Sequence, residues 1–186
     1  MISPRFSILA RRNSVRSTHF RVRAEQTFLG LKDSVFAASH MGSEKVRASI
    51  ARHGWHCISV PGEEEGQFDF SYSIGFEETL KHPEVSIFGL PSNIASEIIA
   101  NCYGLIRRGT SLEVAKDYAG LISGGYQIRV GGFAKPSHSD EYFGAGAEYC
   151  GRDMRMLVLL WPNRNGAFPV GAEGHPQREA VLVMYD

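Results

Sequence analysis

The chain has 186 residues, 43% of them apolar and 22% charged, with a formal net charge of zero. This is the length and composition of one globular domain with a buried core, and no run approaches the ~20 consecutive apolar residues that a membrane helix needs. Residues 1–40 carry seven basic and two acidic residues, net +5, leaving 13 basic and 18 acidic, net −5, in residues 41–186; that balance argues against a surface built to neutralise nucleic-acid phosphates.

Residues 1–24 hold six arginines, several serines and no acid. That composition matches an organelle transit peptide. Two other readings stand beside it. The stretch could be a translated leader ahead of a start at Met41-Gly42-Ser43-Glu44, or a functional basic arm. Apolar periodicity is weak across residues 1–40, so all three readings expect a poorly ordered N-terminal extension followed by a domain over 41–186.

Ser43 is placed to cap a helix ending near His53, with Val46, Ile50 and His53 at helical spacing and Gly54 at its stop. Trp55–Val60 alternates as a strand. After the acidic turn Pro61-Gly62-Glu63-Glu64-Glu65-Gly66, residues 68–74 alternate again, with Phe68, Phe70, Tyr72 and Ile74 on one face and Asp69, Ser71 and Ser73 on the other. The pair is expected to form an antiparallel hairpin. A short polar loop leads to a third strand over Val85–Leu90. Both the second and third strands stop at a glycine, Gly75 and Gly89, where a backbone can approach what a side chain would block.

Ser92 or Asn93 opens a helix carrying Ile94, Ile98, Cys102, Leu105 and Ile106 on one face, with Gly109 as its stop. A second helical segment is expected over Leu112–Leu121, broken by Gly124-Gly125, then a strand over Tyr126–Val130. Residues 139–150 read as an irregular helix interrupted by glycines. Met154–Trp161 is apolar on both faces, the mark of a central strand. A turn over 162–166 follows, and Ala180–Met184 reads as an edge strand. The order of elements gives an α+β fold, a largely antiparallel sheet packed with two or three helices in a single domain.

Few residues carry obvious chemistry. Cys57, Cys102 and Cys150 are odd in number and form no Cys-x-x-Cys pair, which fits free thiols in a reducing, cytoplasmic setting; Cys102 belongs to an apolar helix face. Cys57 and Cys150 would react only in an electropositive, partly open setting; Arg152 lies near Cys150 in sequence, but no base is in view for either thiol. His53 and His56 have His-x-x-His spacing, but a helix end falls between them and no third ligand completes a metal site. Ser71 and Ser73 lack a nucleophile elbow and read as the solvated face of a strand. Glu84 reads as an exposed strand end or, beside His56 or Arg129, as a paired carboxylate with acid–base capacity. No catalytic residue is assigned.

Taken together, His53-Gly54-Trp55, Phe70-Ser71-Tyr72-Ser73-Ile74-Gly75, Pro83-Glu84, Phe88-Gly89-Leu90, Gly125-Tyr126, Trp161-Pro162-Asn163, Gly166-Ala167-Phe168-Pro169 and Gln177 make the chain resemble a mostly bacterial family, domain of unknown function 4262, over residues 46–180. In that family the second block commonly reads Phe-x-Tyr-Thr-x-Gly-Leu; here Ser73 replaces the threonine and Phe76 the leucine. Asn163 stands where the family usually has aspartate, removing one carboxylate. The resemblance implies domain limits and no activity.

Two functions remain in view. One is a binding or interaction module whose aromatic and glycine-lined cleft is built from His56, Tyr72, Ser73, Gly75, Glu84, Gly89, Tyr126 and Trp161, taking a small molecule or a protein partner. The other is a small enzyme using a planar cofactor such as flavin, with Arg129 and Arg155 the strand-placed candidates for its phosphate, or, more remotely, a metal. Both need the two glycine-ended strands and the Trp161 turn to meet around one hollow.

Overall fold

The computed structural model describes residues 44–62, 67–151 and 153–185. The readings of residues 1–40, the Ser43 cap, the Glu63–Gly66 turn and Arg152 lie outside them. The described chain is already helical at 44 and stays so to 53 (α1), where Gly54 ends it by donating to Ile50 O at 2.7 Å. Strands β1 (His56–Val60) and β2 (Phe70–Ile74) follow and pair antiparallel, His56 opposite Ile74 and Val60 opposite Phe70, as the alternation predicts. The loop expected next is instead a short helix, α2 (Phe76–Leu80), with Glu77 and Glu78 in its first turn, where the helix dipole favours acids.

β3 (Glu84–Phe88) pairs antiparallel with β2. α3 (Ser92–Arg107) carries the expected apolar face, burying Ala95, Ile98, Ile99, Cys102 and Ile106. The helix expected over 112–121 does not form. Ala115 turns left-handed (φ 63°) and donates to Val130 O at 2.7 Å, and Asp117–Ala119 becomes the short edge strand β4. Leu112, Tyr118 and Leu121 are still buried, but from a loop and an edge strand of the sheet rather than from a helix face.

β5 (Gln127–Phe133) runs past the expected strand end. After a short 3₁₀ turn, α4 (Ser139–Tyr142) and α5 (Gly144–Cys150) form the expected broken helix. β6 (Met156–Leu160) is buried throughout, as a central strand should be. The expected C-terminal edge strand is instead α6 (Arg178–Tyr185). Its buried residues Ala180, Val181 and Met184 follow helical spacing while Leu182 and Val183 face outward, and Val181 N donates to Gln177 O at 3.0 Å. Burial of that one face outweighs the strand preference of the Ala-Val-Leu-Val run.

The six strands lie in the order β1-β2-β3-β6-β5-β4. All neighbours are antiparallel except β3 and β6, which run parallel with Val85 opposite Leu157. Two apolar cores sandwich this sheet. Phe70, Tyr72, Ile74, Phe88, Met156, Val158 and Leu160 face α1, α5 and α6. Val85, Ile87, Leu157, Leu159, Ile128 and Val130 face α3. The fold is therefore α+β with a largely antiparallel sheet. Among the described residues no helix is long and apolar enough to cross a membrane.

Candidate functional site

Because β2 and β3 are antiparallel, the glycines that end them lie at opposite ends of the sheet, and the expected single hollow does not form around both. His56, Ser73, Gly75 and Glu84 belong to one end. Gly89, Tyr126 and Trp161 belong to the other. Tyr72 lies between them, 2% exposed, its ring edge-on to Phe143 at 5.2 Å. Burial raises its hydroxyl pKa, opposed by the backbone N–H groups of Gly146 and Ala145.

At the first end, β2 and β3 part after the Tyr72–Ser86 pair, and Ser73 and Glu84 fill the gap. The Ser73 hydroxyl donates to Glu84 Oε2 at 2.5 Å and accepts the Val85 N–H at 2.9 Å. Glu84 Oε1 accepts the Gly75 N–H at 2.8 Å and the Glu77 N–H at 3.2 Å. Gly75 adopts φ 108°, which only glycine takes without strain, and so turns its own N–H and those of the first turn of α2 onto the carboxylate. Glu84 is fully buried, and burial raises its pKa against the pull of these hydrogen bonds. It meets neither His56, which Ile74 separates from it, nor Arg129. Ser71 and Ser73 are buried too, rather than solvated, because this face of the sheet is covered; the Ser71 hydroxyl bonds that of Ser59 at 2.8 Å. A carboxylate and a serine occupied in this way hold α2 to the sheet.

Beside this buried set, at the free edge of β1, lies an open depression of about 360 Å³ lined by Ser49, His53, Trp55, His56 and Cys57. Trp55 forms its firm wall, stacked on Tyr103 at 5.8 Å and edge-on to Phe76 at 5.9 Å. Burial lowers the pKa of His56, so its ring is neutral at pH 7. Burial also pushes the Cys57 thiol up to about 11 and the Cys150 thiol up to about 12, the second helped by Glu84, so neither is a thiolate at neutral pH. His53 and His56 share the depression, yet no group of three or more His, Cys, Asp or Glu side chains able to hold a metal occurs among the described residues.

At the second end, β6 delivers Trp161 beside the end of β3. The Trp161 indole donates to Phe88 O at 2.9 Å, and the fully buried Gln177 accepts the Trp161 N–H at 3.2 Å while donating to Leu159 O at 2.6 Å. His175 packs its ring 4.6 Å from that of Trp161. Tyr126 is 39% exposed at the start of β5. The two arginines considered for a cofactor phosphate do not converge. Arg129 opposes Leu160 near one end of β6, held by Asp117 at 2.6 and 2.8 Å and lying 4.1 Å over the Phe168 ring. Arg155 precedes the other end of β6 and bonds Glu77 at 3.0 Å. Ser49, Trp55 and His175 escape sequence reasoning as site residues because their neighbourhoods are made by long-range pairing. A histidine two residues before a buried glutamine is the one local signal.

The model of the family described as "Domain of unknown function (DUF4262)" matches residues 49–174, and the chain belongs to that family. No curated protein and no solved structure matches it.

Proposed function

We propose that this member of the domain of unknown function 4262 family is a binding module whose recognition surface is the depression at the β1 edge, and that its ligand is a small planar molecule set against Trp55 between His53 and His56. The depression carries this reading. Its volume of about 360 Å³ is in the range of small-molecule sites, and it combines one rigid aromatic wall with a few polar tips. The neutral His56 ring offers one donor and one acceptor, a pairing suited to a heteroaromatic edge. The strongest acid–base candidates, Glu84 and Ser73, are consumed in holding α2, which favours recognition over chemistry at this end. Three free cysteines support a reducing compartment such as the cytoplasm.

A ligand-observed NMR screen of planar heteroaromatic fragments tests the reading, with hits mapped on the imidazole resonances of His53 and His56. Saturable shifts of those rings, weakened by His56→Ala in a folded protein, are expected. Hits that leave both rings unmoved, or a folded protein that binds none of the fragments, would overturn it.

A further inference from the structure

We propose that the free edge of β1 is a dimer interface, at which a second copy of this chain adds its own β1 antiparallel and joins the two sheets into one. This goes beyond the ligand reading of the neighbouring depression and does not rest on it. β1 is the terminal strand on its side of the sheet. It is five residues long, His-Cys-Ile-Ser-Val, with no lysine, arginine, acid or proline, and its register with β2 is unbroken. The opposite edge is β4, three residues long and opened by Asp117. Short length and charge are two ways in which exposed edges are kept from pairing; β4 has both and β1 has neither.

Alternate residues of an antiparallel strand bond to the neighbour, and the rest turn their N–H and C=O away from it. In β1 the choice is settled by Pro61. The last pair with β2 is Val60 with Phe70, and Pro61 beyond it has no N–H to continue the ladder, so the bonds to β2 run through His56, Ile58 and Val60. The far side of β2 agrees. Asp69 O accepts the Gly89 N–H from the β3 side at 2.7 Å, which turns the next residue, Phe70, toward β1. Ser59 and Ser71 bring their hydroxyls within 2.8 Å, the close approach of a pair that shares no backbone bond. Cys57 and Ser59 therefore point their main-chain groups at the free edge, and among the described residues no other segment's backbone bonds them.

Those groups are self-complementary. With a two-fold axis at Ile58, Cys57 of each copy stands opposite Ser59 of the other, and every outward N–H meets an outward C=O. The flanking pairs are then Ile58 with Ile58 and His56 with Val60. Ile58 is half-buried against the core on the Tyr72 face, so its self-contact covers the part that one copy leaves bare. No like charges meet across this strand pair, and a chain of zero formal net charge has little overall repulsion to overcome. Val60 of the second copy also arrives beside His56, adding a wall to the β1 depression.

Sedimentation equilibrium of the full chain tests the pairing, with amide hydrogen exchange of Cys57 and Ser59 followed at the same concentrations. A monomer–dimer equilibrium is expected, with both amides exchanging at least about tenfold more slowly where the dimer prevails. Ser59→Pro removes one outward N–H at an edge position that tolerates proline, and is expected to give a folded monomer. Should it fail to fold, Ser59→Lys, at an exposed position, is expected to weaken association at least about tenfold. A chain that stays monomeric up to about 1 mM, slow exchange of the two amides that does not change with concentration, or a dimer that neither folded variant weakens would overturn the proposal. None of these readouts involves a ligand, so failure here is distinct from a failure of fragments to bind at His56.

Discussion

The buried carboxylate of Glu84, on one strand, accepts the N–H of Gly75, at the end of its neighbour, at 2.8 Å. One residue thereby closes the splayed end of the β2–β3 pair and caps a helix to which it does not belong. The contact explains why a glycine and a glutamate nine positions apart belong to one structural unit. It also sets the first expectations for mutants.

Glu84→Ala would strand the Gly75 and Glu77 N–H groups and the Ser73 hydroxyl in a buried place. We expect a loss of about 3–5 kcal/mol in urea unfolding, the scale for leaving two or three buried polar groups unsatisfied at about 1–3 kcal/mol each. Glu84→Gln keeps an acceptor for the backbone N–H groups and should cost clearly less. Equal losses for the two variants would show that an acceptor for the Gly75 N–H does not matter.

Gly75→Ala forces a Cβ into a φ of 108° and within 3.1 Å of Gly54 O. Left-handed strain and that contact together should cost about 1–3 kcal/mol. The same denaturation measurement checks it. Gly109→Ala, at φ 94° with no atom within 4 Å of its Cβ, serves as the control that carries strain without the contact.

His82 is buried, its Nδ1–H donating to Pro83 O at 2.7 Å and its Nε2 accepting the Leu112 N–H at 3.0 Å. Burial lowers its pKa below 6.5, with the Pro83 carbonyl pulling the other way. A histidine whose folded pKa is depressed binds fewer protons in the native state, so its contribution is complete above 6.5 and is lost as pH falls through the folded value. Glu84 has the opposite sign: its folded pKa is raised above 4.5, and its contribution is lost as pH rises through the folded value. The difference between wild type and His82→Gln isolates the imidazole. Stability of the wild type measured from pH 7 downward should fall more steeply below 6.5 than that of the variant; parallel curves would sink the assignment.

With their pKa values pushed up to about 11 and about 12, Cys57 and Cys150 are almost wholly protonated at pH 7. Cys102 is buried and its value is raised to about 12. A disulfide reagent at pH 7 should therefore titrate all three thiols slowly in the native protein and rapidly in denaturant. A fast phase for one thiol in the folded state would reveal an activated cysteine.

Asp117 and Arg129 face each other across the β4–β5 pair and are both part-exposed. Their coupling in a double-mutant cycle should be under about 1 kcal/mol and shrink in salt. A coupling several times larger, insensitive to salt, would mark Arg129 as more than a surface partner.

The β1–β2 hairpin, the apolar face of α3 and the buried strand around Leu157–Leu160 were legible because each depends on alternation or helical spacing within a few residues. Glycine stops worked for the same reason, since a left-handed turn such as Gly109 is a local demand. The apolar run at Ala180–Met184 misled because its strand preference was overruled by one face packing on the sheet. Leu112–Leu121 misled because its buried residues are spaced for a loop pinned to Val130, a partner distant in sequence.

The candidate cleft came apart for a deeper reason. Periodicity says which residues share a strand face but not which way the next strand runs. Only the tertiary structure decided that β3 returns antiparallel to β2, sending Gly75 and Gly89 to opposite ends, and that it lies parallel to β6, bringing Trp161 to Gly89. Family membership, the α+β class and the elements with clear local periodicity (the β1–β2 hairpin, α3 and β6) follow from residue order alone. Strand direction, the burial of Glu84 and the seating of His175 on Trp161 depend on contacts between segments far apart in the chain, where burial and hydrogen bonding are settled together.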